Sequence, residues 1–163
     1  MAEDKKEKNK LQQLKEKYET LQKKYRLPDF DELNEEFEIE KIKIGSFILK
    51  EIRRTIGEKI TSVLKLLELL INPVNAPFFV FTLIKNLKPG TKKEIESLYK
   101  KLSTIEIRTI RLDLTNDETA EAEFIKDIAK EWQEHKKALS SFCDDIEKAW
   151  QPDFEKQEKG YLG

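Results

Sequence analysis

The most regular pattern of apolar positions lies in the last third of the chain. Eight residues follow one another there at alternating steps of three and four: Ile125, Ile128, Trp132, His135, Leu139, Phe142, Ile146 and Ala149. This spacing places them on one side of a helix, with His135 as the one polar member. Because such a helix must bury its apolar side against other helices, the pattern predicts a helical bundle.

Two further segments have the same spacing, so the predicted fold class is all-α, an elongated bundle of about three long helices. We expect these helices at about 46–71, 91–114 and 116–151, with short helices inserted between them. Residues 105–114 also alternate as a strand would. We interpret them as helix, because a lone strand without a partner is not stable. Pro152 is expected to end the last helix and to leave 152–163 as a flexible tail.

The N-terminal segment 1–26 carries a narrower apolar stripe, typical of a coiled coil. Its members are Leu11, Leu14, Tyr18, Leu21 and Tyr25. We expect this helix either to project as an arm, with the stripe binding a partner or a second copy, or to pack as a hairpin on its own chain. Residues 27–151 then form the bundle.

Polar residues mark several expected helix starts. Asp29 and Thr91 each precede a glutamate by three residues, and Thr115 is followed by Glu118, the spacing of a capping box. The segment 73–84 is so apolar that two interpretations stay open. It is either a helix buried on all sides, or an exposed lip for a partner helix or a lipid face.

The charge pattern separates bases from acids along the chain. The net charge is −1, which gives no overall attraction to nucleic acid. Residues 1–26 and 41–61 are basic, whereas residues 29–40 hold seven acids and no base. We interpret this as complementarity between helices of the same chain; the alternative is that the bases at 5–26 and 41–59 bind RNA or a ribosome.

Candidate chemistry is sparse. The chain has one His and one Cys, and eight residues of helix separate His135 from Cys143 by about 12 Å, which excludes a catalytic pair. No phosphate-binding or nucleophile-elbow motif occurs, so we expect no enzyme activity, no cofactor and no metal site. Cys143 is interpreted as a small buried residue in a reducing, cytoplasmic compartment. The charged N-terminus does not resemble a secretory signal.

Three functional hypotheses follow. The leading one is a non-enzymatic adaptor or scaffold that binds a protein partner or itself through helix faces, with an aromatic end formed by Trp150, Phe154, Tyr161 and Leu162 as a second docking element. The second is an RNA- or ribosome-associated factor. The third is a ligand-binding protein or enzyme with a cavity near Phe78–Phe81 and His135.

Overall fold

The computed structural model describes the backbone of residues 2–160 and the side chains of residues 8–150 apart from Asn75. Within this part of the chain the secondary structure is helical and no strand occurs, which confirms the predicted all-α class. The α-helices are α1 (Ala2–Tyr25), α2 (Phe30–Phe37), α3 (Ile48–Ile71), α4 (Phe78–Asn86), α5 (Pro89–Asp113) and α6 (Glu118–Gly160). Two 3-10 turns, Ile39–Lys41 and Pro73–Asn75, precede α3 and α4.

The described residues form two compact units. Unit 1 takes the residues up to Thr61 together with Ile105–Trp132, and unit 2 takes Ser62–Thr104 and the residues from Gln133 onwards. The long helices α3, α5 and α6 therefore contribute a segment to each unit. Each unit is described by itself below.

In unit 1, α1 packs against α2 through Tyr18. The Tyr18 ring meets the Phe30 ring edge-on at 5.4 Å, and its hydroxyl donates to the Pro28 carbonyl at 2.7 Å. The predicted cap at Asp29 is confirmed, because its carboxylate accepts from the backbone N–H groups of Asp31 and Glu32. The short helix α2 then buries Phe30, Leu33 and Phe37 on one side.

The centre of unit 1 lies on α3. Ile52, Ile56 and Ile60 have no exposed surface, as their spacing of four predicts. From α6, Ile125, Ile128 and Trp132 are buried as well. Gly57 lets α5 come close, since a Cβ there would already touch the Thr109 side chain at 3.5 Å.

In unit 2, α4 and α5 pack with the later parts of α3 and α6. The predicted stripe of α5 is buried at Ile95, Leu98 and Leu102. The Asn86 amide at the end of α4 donates to the Ala149 carbonyl at 3.4 Å. Thr91 on α5 donates its hydroxyl to Asp145 of α6 at 2.7 Å, so polar bonds tie both α4 and α5 to α6.

Four sequence expectations are wrong. Thr91 lies inside α5, which begins at Pro89, and does not cap it. At the start of α6 the cap is Asp117, which accepts from the N–H groups of Thr119 and Ala120, and not Thr115. The helix α6 continues through Pro152 to Gly160. Cys143 is exposed, because it lies one residue, or about 100°, around α6 from the buried Phe142.

Candidate functional site

The structure divides the predicted partner-binding stripe of α1. Leu14 and Tyr18 are buried within unit 1, whereas Leu11, Leu21 and Tyr25 are half-buried. The Tyr25 hydroxyl donates to Glu118 Oε1 at 2.6 Å, and Lys24 reaches the same oxygen at 3.1 Å. These two hydrogen bonds lower the pKa of Glu118. The chain's own residues therefore cover the centre of this stripe.

The predicted aromatic end is described only at Trp150. Its ring lies 5.4 Å from that of Phe79, and 40% of the residue is exposed. The side chain of Phe154 and the residues Tyr161 and Leu162 lie outside the described part of the chain. A contact between Trp150 and α4 was not predicted, since the sequence gives no sign that these two segments meet.

Sequence reasoning also missed a buried ion network in unit 1. Arg53 is 1% exposed and Glu121 is 4% exposed, and Arg53 Nε donates to Glu121 Oε2 at 2.7 Å. The same guanidinium donates to Asp113 Oδ1 at 2.7 Å and to the Thr109 carbonyl at 3.2 Å. Burial opposes the charge on Arg53, but the hydrogen bonds to both carboxylates outweigh it and raise its pKa. Arg53 Nε and its two terminal nitrogens thus hold α3, α5 and α6 together in this unit.

A second polar cluster surrounds Trp132. Its indole N–H donates to Glu36 Oε2 at 2.9 Å, and its ring lies 5.0 Å from Phe37. The Lys59 ammonium lies 5.3 Å from the centre of the Trp132 ring and donates to the Glu36 carbonyl. Core packing of Trp132, expected from its place in the α6 stripe, is confirmed.

Many of the bases that suggested RNA binding are engaged by acids of the same unit. Lys15 bonds Asp31, Lys24 bonds Glu118, and Arg53 bonds Asp113 and Glu121. The acids come from α2 and from the end of α5 and the start of α6. This is the complementarity between helices that the charge pattern predicted.

His135 lies in unit 2 beside a groove of about 280 Å3. The residue is buried, and the groove is also lined by Lys101, Glu134 and Phe142. Lys101 donates to Glu134 at 2.9 Å, and this bond lowers the pKa of Glu134. Phe78–Phe81 do not line the groove, so the cavity expected between those residues and His135 is not formed as predicted.

An exposed apolar stripe runs along α5 in unit 1. It consists of Ile107, Ile110 and Leu114, and we call it the α5 stripe. Ile107 and Ile110 are more than half exposed, and Leu114, directly after the helix, is 83% exposed. Arg111 lies on the same side, four residues after Ile107, and is exposed. Four large side chains thus present a row with one positive charge.

The α5 stripe ends near a groove of the same unit. This groove has a volume of about 240 Å3 and is lined by Phe47 and Leu49 on one side and by Asn116 and Glu118 on another. Leu114 precedes Asn116 by two residues, so its Cα lies within about 7 Å of the groove wall. Phe47 is itself exposed. The apolar surface therefore extends beyond the helix.

Unit 2 has a separate exposed face on α4. Val80, Leu83 and Leu87 are buried, which turns the opposite side of the helix outwards. That side carries Phe78, Phe81 and Lys85, which we call the α4 face. Phe78 is 86% exposed, and Lys85, seven residues later, lies almost two full turns along the same side. Of the two interpretations of this segment, the exposed one matches the structure.

Other comparisons add no functional assignment. Among residues 2–160, no helix has both the length and the apolar composition needed to cross a membrane. In the same described part, no three His, Cys, Asp or Glu side chains are grouped as metal ligands would be. Searches of protein-family models, curated proteins and solved structures found no match to this chain.

Proposed function

We propose that this protein is a non-enzymatic helical interaction module whose α5 stripe binds an amphipathic helix of a partner protein. The observation that carries the proposal is the exposure of Ile107, Ile110 and Leu114 at steps of three and four. That spacing matches the apolar seam of a second helix laid along α5. A cytoplasmic location belongs to the same proposal.

The charge of the stripe supports a particular kind of partner. Arg111 lies between Ile107 and Leu114 on the same side of α5, so a partner helix with acidic residues beside its apolar seam fits best. If two copies of this chain paired their stripes in antiparallel fashion about Ile110, the two Arg111 side chains would face each other. Like charges at that position disfavour a second copy as the partner.

The size of the surface indicates how the partner binds. A stable interface takes about 800 Å2 from each partner, which three aliphatic side chains do not supply. The partner therefore also covers Phe47 and the neighbouring groove, or the complex is transient. The RNA-associated hypothesis has less support, because Lys15, Lys24 and Arg53 are already paired with acids.

The test is capture from a membrane-free lysate of the source cells at low salt, after nuclease treatment. The tagged full chain is compared with an Ile107→Ser, Ile110→Ser, Leu114→Ser variant. A Val74→Ser, Phe78→Ser variant is the matched control, since it also removes exposed apolar side chains but in unit 2. The captured partner is then purified and titrated against all three proteins.

We expect one stoichiometric partner whose Kd rises about tenfold or more for the stripe variant, as for anchor residues of other interfaces. The control variant should bind as the wild type does. Equal binding by the stripe variant, or capture that disappears with nuclease, would show that the α5 stripe is not the docking site.

A further inference from the structure

The α4 face differs from the α5 stripe in composition and surroundings. Its exposed residues are aromatic, and they are continued by Val74 in the preceding 3-10 turn and by Phe79 beside Trp150. Phe78 and Val74 are the two most exposed apolar residues of unit 2, at 86% and 76%. The side chains therefore protrude and do not line a groove.

The charge around this face has a single sign along the chain. From Leu69 to Lys93 there are four lysines and no acidic residue. Lys85 lies on the α4 face itself, and Lys88, Lys92 and Lys93 follow in the next loop and the first turn of α5, all exposed. On α6, the exposed neighbours Glu147 and Lys148 of Trp150 cancel each other. The surroundings of the aromatic residues are therefore basic.

We propose that the α4 face binds the surface of an anionic membrane, with Phe78 and Phe81 inserted at the interface and Lys85 and Lys88 against the lipid headgroups. Aromatic side chains concentrate at membrane–water interfaces, and lysines near the surface are attracted by anionic lipids. A bilayer accepts protruding side chains without a matching pocket, whereas a protein partner of this face would need one. Because α4 has nine residues, the binding is interfacial.

This inference does not rest on the α5 stripe, since the residues involved belong to unit 2. A protein that carries both surfaces would bring its partner to a membrane. Each surface can fail without the other.

The test is flotation of the full chain with vesicles of phosphatidylcholine alone and of phosphatidylcholine mixed with phosphatidylserine. We expect binding to the anionic vesicles that weakens in high salt, with a blue shift of Trp150 emission above the constant background of the buried Trp132. Phe78→Ser, a change at an exposed position that leaves the fold intact, should lower the partition coefficient about tenfold. Lys85→Gln and Lys88→Gln should each lower it about fivefold, for anionic vesicles only.

The Ile107→Ser, Ile110→Ser variant is the matched control and should bind vesicles as the wild type does. Two results would overturn the inference: no binding to anionic vesicles, or binding that Phe78→Ser leaves unchanged. Loss of a captured acidic protein on Phe78→Ser, without any vesicle binding, would also overturn it and assign the face to a protein partner.

Discussion

Arg53 Nε and Glu121 Oε2 lie 2.7 Å apart in the interior of unit 1, although their residues are 68 positions apart in the chain. Both side chains are almost completely shielded from water. A buried pair of this kind contributes little over well-packed apolar residues, yet removing one member is costly because the other charge stays buried. The pair therefore fixes how α3 and α6 pack.

The first prediction concerns this pair. Arg53→Met should lower the free energy of unfolding by about 3–5 kcal/mol, because Glu121 is left without its partner. Arg53→Met with Glu121→Leu should recover most of that loss. The neighbouring Arg54 is half exposed, and Arg54→Met should cost below about 1 kcal/mol. Urea unfolding of the four proteins measures these differences, and equal losses for Arg53→Met and Arg54→Met would contradict the network.

The second prediction tests the assignment of inner and outer apolar residues. Ile56 has no exposed surface, so Ile56→Asp buries an unpaired charge and should abolish cooperative unfolding. Ile107→Asp makes the same chemical change on the α5 stripe and should leave the melting temperature within a few degrees. Thermal melts followed by circular dichroism distinguish the two. A folded Ile56→Asp variant would mean that the centre of α3 is misplaced.

The third prediction concerns acid stability. The hydrogen bond from Arg53 lowers the pKa of Asp113, so this carboxylate stabilises the fold above its unfolded pKa of about 3.9 and loses that effect as the pH falls through the lower folded value. Because Asp113 is half exposed, the contribution is below about 1 kcal/mol. Unfolding of wild type and Asp113→Asn should differ at pH 7 and converge in acid. A gap that widens in acid would reverse the sign.

The fourth prediction concerns Cys143. Its thiol is exposed, so a disulfide reagent should label the native protein about as fast as the urea-unfolded protein. Cys143→Ser should change the free energy of unfolding by less than about 0.5 kcal/mol, as expected at the surface. Labelling that needs prior unfolding would restore the buried position expected from the sequence.

Helical periodicity predicted the long elements because their apolar spacing is repeated over many turns. Ile52, Ile56 and Ile60 on α3, and Ile125, Ile128 and Trp132 on α6, are buried as their spacing requires. The class and the approximate helix bounds follow from such repeats. Short-range signals were less reliable, because Asp117 lies closer than Thr115 to the free N–H groups of α6.

The candidate surfaces could be predicted only in part. Residues 105–114 were read as helix, but the stripe assigned to α5 ran through Leu112, and the exposed positions 107, 110 and 114 appear only once Ile105 and Thr109 are known to face inwards. On α4, apolar residues occupy so many positions that the sequence does not say which side is covered. The role of Arg53 depends on acids 60 and 68 residues away.

The central claim is that the α5 stripe is a docking surface, and photocrosslinking in the source cells tests it most directly. A photoreactive p-benzoylphenylalanine replaces Ile110, and, as a control, the exposed Glu123 on α6. The account predicts a crosslink from position 110 to one protein, at a segment with an apolar seam and acidic flanks, and none from position 123. No crosslink at position 110, or the same products from both positions, would contradict it.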